Sequence, residues 1–377
     1  IRIAFLLFSA FVVINVFNGP TSTAVGLATF AAFIGAVASC VVLFIYWKKR
    51  KSHLNNLLNK QKKSYDIPTS DLFKELLKYA GPFVLVGIAT PLYQQIDSLT
   101  FNKAMADIGL QDISEFALGS LNLYSHKLVI IPVTIATGLS LAMLPAITKS
   151  FTEKKQTLMF HQINQSLQIV MLFVLPAAVG LSILSNEAYG ALFGLDNIET
   201  TSSLLAWYAP VSLFFAFFTV SSSVLQGINQ QRFAVVSLTA GLIIKGSLNI
   251  SLIHSFGAKG AIFGTFLAVA TAVLLNMWRI KQSIQFPLRE FIKRSMLISI
   301  FTIIMGIFVW ITKWLLSFII TYNDGRLQSF IILFVSVAVG AGIYLWLSYE
   351  STLLERVLGN RVRVIDKILN KILRRNR

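Results

Sequence analysis

Charged residues and cysteine are scarce in this sequence. Charged side chains make up 13% of its 377 residues, whereas soluble domains carry roughly a quarter. The single cysteine, Cys40, has no partner for an internal disulfide or a thiolate metal site. Together these shortages exclude a soluble enzyme, a disordered tail and a secreted disulfide scaffold.

Motifs of enzymes and nucleotide-driven pumps are also missing. The sequence contains no Walker A, GxGxxG, HExxH or CxxC pattern. Its four histidines lie on different predicted elements without metal-ligand spacing: His53, His126, His161 and His254. We therefore expect a protein that is not an enzyme and has no cofactor, in which any transport is secondary or passive.

Acidic residues are outnumbered by basic ones, 16 to 33, which gives a net charge of +17. In a soluble protein this excess would indicate a nucleic-acid partner. Here the charges stand in short stretches between apolar runs, the arrangement typical of cytoplasmic loops. No nucleic-acid partner is therefore expected.

Long apolar runs are what the sequence has in abundance. Hydrophobic residues make up 55% of the chain, and its mean hydropathy is +0.70. Runs of about 20 residues match the thickness of a bilayer. We predict an all-α, polytopic transmembrane bundle of about ten spans: 1–17, 22–47, 76–101, 116–148, 159–185, 202–228, 232–254, 259–280, 294–320 and 327–349.

The distribution of Lys and Arg predicts the orientation. With residue 1 on the inner side, 27 of the 33 basic residues fall inside, 4 outside and 2 within spans. Basic loops stay cytoplasmic, so both ends of the chain are expected to face the cytoplasm. The segment 356–377 has an apolar stripe among basic residues, which predicts an interfacial helix on anionic membrane lipids.

Small residues and prolines mark special helix geometry. Gly260 and Gly264 have the GxxxG spacing that lets helices approach closely. Six of the nine prolines lie in predicted spans, as expected of bent helices around an aqueous cavity.

Lys127 is the first candidate for a functional residue. It lies in the outer half of the fourth span with Asn122 and His126, and charged groups inside spans are usually functional. The favoured interpretation is a lysine that faces a water-filled cavity and meets an anion such as phosphate. The alternative is a side chain that snorkels to the outer interface.

Asp97 is the one acidic residue well inside a span. With Gln94 and Gln95 it could bind a coupling cation, or it could pair with Lys127. An equally weighted alternative is a structural hydrogen-bond node at the helix end.

Lys245, Asn249 and His254 form a second polar series, at spacings of four and five residues. We favour helix contacts over a cavity lining for this series.

The segment 124–152, YSHKLVIIPVTIATGLSLAMLPAITKSFT, resembles the MurJ-type lipid II flippases and the related polysaccharide exporters. The resemblance rests on Tyr124, Lys127, Pro132, Leu144, Pro145, Thr148, Lys149 and Ser150. Residues 161–185 and the LFG at 192–194 resemble the SpoVB/YtgP branch of the same multidrug/oligosaccharidyl-lipid/polysaccharide (MOP) exporter superfamily.

The resemblance implies a fourteen-helix fold of two six-helix lobes and an extra pair, of which this chain carries helices five to fourteen. The first four helices are expected to be absent. Five segments follow: the end of the first lobe at 1–47, a basic cytoplasmic linker at 48–70, the second lobe at 71–282, the extra pair at 290–350, and a basic tail at 351–377.

The resemblance also implies the activity. A MurJ-like flippase of a bacterial cytoplasmic membrane moves an undecaprenyl-pyrophosphate-linked saccharide, here expected to be lipid II, outward by alternating access. The pyrophosphate would meet Lys127, the lipid tail would lie along 290–350, and a cation or the membrane potential would drive the cycle. Cell-wall synthesis enzymes are candidate partners.

Alternatives from the sequence are a flippase for a capsule or teichoic precursor, a multidrug/cation antiporter, and a non-transporting membrane scaffold. Lys127 replaces an arginine of the family pattern, and Ile130 stands where some relatives have an acidic residue. Lysine cannot bind a phosphate group through two parallel hydrogen bonds as arginine does. These two departures from the family pattern therefore affect which substrate is expected.

Overall fold

The computed structural model describes residues 1–60 and 68–358, and those residues form helices and turns with no strand among them. The all-α prediction is confirmed. The helices in the first part of the chain are α1 Arg2–Phe11, α2 Thr21–Asn59, α3 Thr69–Gly87, α4 Ala89–Asp107, α5 Gln111–Gly119, α6 His126–Thr152 and α7 Gln156–Ile183. Those that follow are α8 Ser185–Phe193, α9 Ile198–Tyr208, α10 Val211–Gly227, α11 Gln231–Phe256, α12 Ala258–Ile284, α13 Arg289–Leu316, α14 Arg326–Glu350 and α15 Leu353–Leu358.

The described residues contain seven helices long and apolar enough to cross a membrane, or nine if each of two bent pairs forms one span. The bent pairs are α3 with α4 and α9 with α10, and the second bends by 40° next to Pro210. The first predicted span is a shorter apolar helix over Arg2–Val16 that ends in a π-helical turn. Each of the ten predicted spans therefore overlaps one of these helices.

Residues Ile1–Phe73 form one compact unit. Within it α1 packs on α2, where a Cβ on Gly35 would lie 3.0 Å from the Cβ of Arg2. Helix α2 runs without a break from the apolar residues into the basic segment predicted as a linker, and it ends at Asn59. The stretch 48–59 contains no Gly or Pro and is rich in Lys, Leu and Asn, so nothing in it stops a helix. Residues 61–67 of that predicted linker lie outside the described residues.

Residues Lys74–Arg377 form the second unit. Its core is a large apolar cluster that joins α4, α6, α7, α10, α11 and α12, with Phe101, Val129, Leu167 and Val224 among its fully buried members. The assignment of 71–282 to one lobe and 290–350 to an extra pair remains a prediction.

A second apolar cluster joins α13, α14 and α15 to α7. It contains Leu172, Ile298, Tyr344, Leu354 and Val357. The short helix α15 thus packs its apolar side on the bundle, while the rest of the predicted interfacial helix, 359–377, lies outside the described residues. The opposite face of α13 exposes large apolar side chains, including Ile303, Trp310 and Trp314, as a surface in contact with lipid does.

Helices α11 and α12 form a close antiparallel hairpin. The chain turns at Gly257, whose φ of 59° is readily adopted by glycine. A Cβ on Gly260 would collide with the backbone carbonyl of Leu252, and one on Gly264 would lie 2.7 Å from Oδ1 of Asn249. The close helix approach predicted from the small residues is therefore present, and it brings polar side chains of α11 against α12.

Candidate functional site

Lys127 lies at the start of α6, directly after a π-helical turn at Ser120–Ser125. Such turns within helices are frequent at functional sites. The Lys127 side chain is exposed and makes no hydrogen bond or ion pair with another described residue. This exposure agrees with both sequence interpretations, a lysine that faces a cavity and one that reaches the outer interface.

The two neighbours predicted to act with Lys127 are each half-buried. The His126 ring turns inward, where its Nδ1 lies 3.1 Å from the hydroxyl of Tyr208 and its ring contacts Phe215 edge-on. Asn122 lies within the π-helical turn itself. His126 therefore holds α6 against α9 and α10, while Lys127 projects from the packed surface.

Asp97 is buried and does not pair with Lys127, contrary to that sequence-based option. Its Oδ2 lies 2.6 Å from Nζ of Lys245, and its Oδ1 accepts a hydrogen bond of 3.1 Å from Nδ2 of Asn249. The second predicted polar series thus supplies the partners of Asp97, because α4 packs on α11 rather than presenting this carboxylate to the start of α6.

The Asp97–Lys245 pair is part of a larger polar node between α4, α11 and α12. Nζ of Lys245 donates to Oγ1 of Thr265 at 2.7 Å, and Nδ2 of Asn249 also donates to Oγ1 of Thr100 at 2.7 Å. We call Asp97, Thr100, Lys245, Asn249 and Thr265 the α4–α11–α12 node. The spacing of Lys245 and Asn249 is the signal in the sequence, since residues four apart share a helix face.

The remaining predicted residues lie apart from this node. Gln94 is half-buried one turn before Asp97, and its backbone carbonyl accepts a hydrogen bond from Ser98. His254 pairs at the exposed ends of α11 and α4 with Asp107, at 3.4 Å. The structure therefore brings Asp97 together with Lys245 and Asn249. It does not gather into one site the five residues predicted to bind substrate, which are Lys127, Asn122, His126, Asp97 and Gln94.

Two further sets of polar contacts were not foreseen from the sequence. Near the start of α13, Arg294 donates a hydrogen bond of 2.7 Å to the side-chain oxygen of the buried Gln168 of α7. At the other end, the buried Glu187 of α8 pairs with Lys313 of α13 at 3.1 Å. Arg326 of α14 donates to the backbone carbonyls of α8 residues 191 and 192. Each of these contacts links elements more than 100 residues apart in sequence, so no local sequence pattern predicts it.

An apolar cavity of about 480 Å³ lies between α6, α7, α13, α14 and α15. Its lining includes Leu128, Ile131, Pro132, Phe173, Pro176, Leu181, Met305, Val337, Gly340, Tyr344 and Leu354. Two of the elements around it, α13 and α14, are those expected to hold the lipid tail.

Lys127 has a direct relation to this cavity through α6. Ile131, which lines the cavity, follows Lys127 by four residues, and residues at that spacing lie on one helix face. Both side chains are exposed. A cation thus stands one helical turn from an apolar cavity, an arrangement suited to a ligand with an anionic head and an apolar chain.

A second cavity of about 280 Å³ lies between α3, α4, α6 and α10. Its lining is mixed, with polar side chains from Thr90, Thr137, Ser140, Thr219, Ser223 and Gln226. Of these two cavities, neither is lined by any of the five predicted site residues.

Comparison with known proteins identifies the family. A family model described as Lipid II flippase MurJ matches residues 3–333. The chain is 43% identical over 364 residues to Lipid II flippase MurJ of Bacillus subtilis, covering 96% of this chain and 67% of that protein. It is 22% identical to Stage V sporulation protein B of the same organism, over 66% of this chain and 46% of that one.

A solved structure of Lipid II flippase MurJ in an inward closed conformation shares the fold. It superposes with a TM-score of 0.61 at 19% identity, covering 95% of this chain and 66% of that one. The chain thus spans about two thirds of the length of the MurJ proteins that it matches. By its family match and its identity to the Bacillus protein, the chain belongs to the lipid II flippase MurJ family.

Proposed function

We propose that this protein moves lipid II, an undecaprenyl-pyrophosphate-linked saccharide, from the inner to the outer leaflet. The observation that carries the proposal is the 43% identity to a lipid II flippase over nearly the whole chain. The chemistry of the described residues supports it, since lipid II combines an anionic pyrophosphate with a long apolar chain, and the start of α6 combines an exposed lysine with an apolar cavity.

In this proposal the two parts of the substrate have separate places. The ammonium of Lys127 offsets the hydration that the pyrophosphate loses on entering a low-dielectric site, where a fixed charge acts more strongly than in water. The isoprenoid chain lies in the apolar cavity between α6, α7, α13 and α14. Asn122 and His126 position Lys127, since they lie in and directly after the π-helical turn that precedes it.

Orientation and partners belong to the same proposal. The excess of basic residues on one side supports placing both ends of the chain in the cytoplasm. Cell-wall synthesis enzymes, which supply or use the transported lipid, are the partners that we propose. Alternating access of two lobes, as the family resemblance implies, would carry the headgroup across.

The test is reconstitution of the protein, as the cell makes it, in vesicles that contain a fluorescent lipid II. We expect the lipid II headgroups to become accessible to a membrane-impermeant quencher or enzyme faster in these vesicles than in vesicles without the protein. An undecaprenyl pyrophosphate with an unrelated saccharide is tested in parallel. Equal transport of both lipids would indicate a flippase that does not distinguish saccharides, and faster transport of the second lipid would favour a flippase for another polysaccharide unit. Transport of neither lipid would contradict the proposal.

A further inference from the structure

The α4–α11–α12 node contains a complete charge pair inside the spanning part of the bundle. Lys245 has no exposed surface and Asp97 is 3% exposed. Burying two charges is unfavourable unless their mutual attraction and further hydrogen bonds offset the lost hydration. The node supplies these bonds, because Thr265 and Asn249 complete the environment of the two charged groups.

The atoms around the Lys245 ammonium are those of a site for a hard cation. A carboxylate oxygen of Asp97 and a hydroxyl oxygen of Thr265 lie 2.6 and 2.7 Å from Nζ. Two more oxygens, Oδ1 of Asn249 one helical turn after Lys245 and the hydroxyl of Tyr93 one turn before Asp97, are buried without a hydrogen-bond partner among the described residues. Carboxylate, hydroxyl and amide oxygens are the donors that hard metal cations prefer.

The surrounding helices leave little room for a second cation. A Cβ on Gly241 would lie 2.6 Å from the Tyr93 hydroxyl and 2.7 Å from the carbonyl oxygen of Ala268. A Cβ on Gly264 would meet Oδ1 of Asn249 at a similar distance. Close helix packing at Gly241 and Gly264 thus leaves little free space beside the Lys245 side chain.

We propose that the Lys245 ammonium acts as a tethered cation: it fills a monovalent-cation site formed by Asp97, Asn249 and Thr265. It follows that no exchangeable metal ion binds at Asp97 in this protein, and that shortening Lys245 opens the site to a small alkali cation such as Na⁺. A monovalent ion restores the charge balance one for one, whereas a divalent ion would leave an excess positive charge. The inference refines the coupling part of the proposed function, since it removes Asp97 as a coupling-ion ligand and favours the membrane potential.

The experiment measures thermal stability of the purified protein in NaCl and in choline chloride at equal ionic strength. The wild-type midpoint should not change between the two salts. In choline chloride, Lys245→Ala should unfold at a lower temperature than the wild-type protein. Its unfolding midpoint should rise by about 3 °C or more when Na⁺ increases from about 1 to about 150 mM, because an ion that binds only the folded state stabilises that state.

Two control variants separate ion binding from general salt effects. Lys245→Met keeps the volume of the side chain without its charge, so it should be destabilised and unresponsive to Na⁺. The double variant Lys245→Ala/Asp97→Asn lacks the anionic ligand, so Na⁺ should not change its unfolding midpoint either. Lys245→Gln, which leaves space beside an added amide oxygen, is a second variant expected to respond.

A Na⁺-dependent midpoint of the wild-type protein would overturn the proposal, as would a folded Lys245→Ala protein that ignores Na⁺. If folded Lys245→Ala protein is recovered from cells only in a buffer that contains Na⁺, the result supports the proposal. Failure of both Lys245→Ala and Lys245→Gln to fold even in Na⁺ counts against it, since the ion should replace the lost charge. These readouts do not involve lipid transport, so they hold or fail independently of the proposed flippase activity.

Discussion

Lys127 is the residue on which the proposed substrate contact depends. Replacement by Gln keeps most of the side-chain length but removes the charge, and we expect a loss of lipid II transport of about tenfold or more, the effect of one charge-assisted hydrogen bond. Lys127→Arg should retain transport, because arginine keeps the charge and adds a bidentate geometry for phosphate. The measurement is growth of a depleted strain together with the vesicle assay.

The matched control is Lys103→Gln, which removes an exposed lysine outside both cavities. It should transport like the wild type, and all variants should reach the same abundance in the membrane. Full activity of Lys127→Gln would mean that this side chain only reaches the outer interface.

The pair of Glu187 and Lys313 illustrates how one charge can hold an element in place. Glu187 is 1% exposed, and Lys313 reaches it from α13 while also donating to the backbone carbonyl of Ile183. Lys313→Met should lower the free energy of unfolding by about 2–3 kcal/mol, because it leaves a buried carboxylate without its counter-charge. Adding Glu187→Gln should recover part of the loss, and thermal unfolding in detergent measures both. A double variant no more stable than Lys313→Met alone would contradict this account.

At the scale of elements, the α11–α12 hairpin depends on a glycine with no room for a side chain. In Gly260→Ala the new Cβ would collide with the backbone of Leu252, which cannot move aside as a flexible side chain can. We expect a loss of about 1–3 kcal/mol from the overpacking. The unfolding midpoint relative to the wild type is the measurement.

Gly246 of α11 is the matched control, because a Cβ there would meet no atom within 4 Å. Gly246→Ala should be neutral or stabilising by up to about 1 kcal/mol, since alanine restricts the unfolded chain. Similar losses for the two variants would show that close helix contact is not what Gly260 provides.

For the whole molecule, the distribution of basic residues predicts the topology. In a Cys40→Ser background, Gln111→Cys should react with a membrane-impermeant thiol reagent in intact cells, whereas Ser52→Cys should react only after the cells are opened. Both positions are exposed in the structure, so access to the side chain itself is not limiting. The reverse labelling pattern would invert the orientation.

Much of the architecture is readable from the sequence because the bilayer imposes it. A span needs about 20 apolar residues, so the length of each apolar run reveals a crossing whatever its neighbours are. This is why every predicted span overlaps a helix, including the two bent pairs. The extension of α2 to Asn59 was missed, because a polar helix that leaves the membrane carries no apolar run to mark it.

The candidate site was only partly readable. Lys127, Asn122 and His126 are neighbours along the chain, so their proximity follows from the sequence. The partner of Asp97 did not follow from it, because the Asp97 carboxylate and the Lys245 ammonium meet across 148 residues of sequence. Choosing Lys245 over Lys127 requires knowing which face α4 turns toward α11.

The class of this protein, its membrane spans and its resemblance to the MurJ-type flippases follow from the amino-acid sequence alone, because they depend on apolar run length and on a contiguous motif. Which buried charges neutralise each other, and where the apolar cavity lies, depends on the tertiary structure. The charge pairing and the position of the cavity both depend on which helices are neighbours and on which face each helix turns towards them. In a chain whose spans are apolar on nearly every face, small residues and packing set that rotation rather than a polar–apolar pattern.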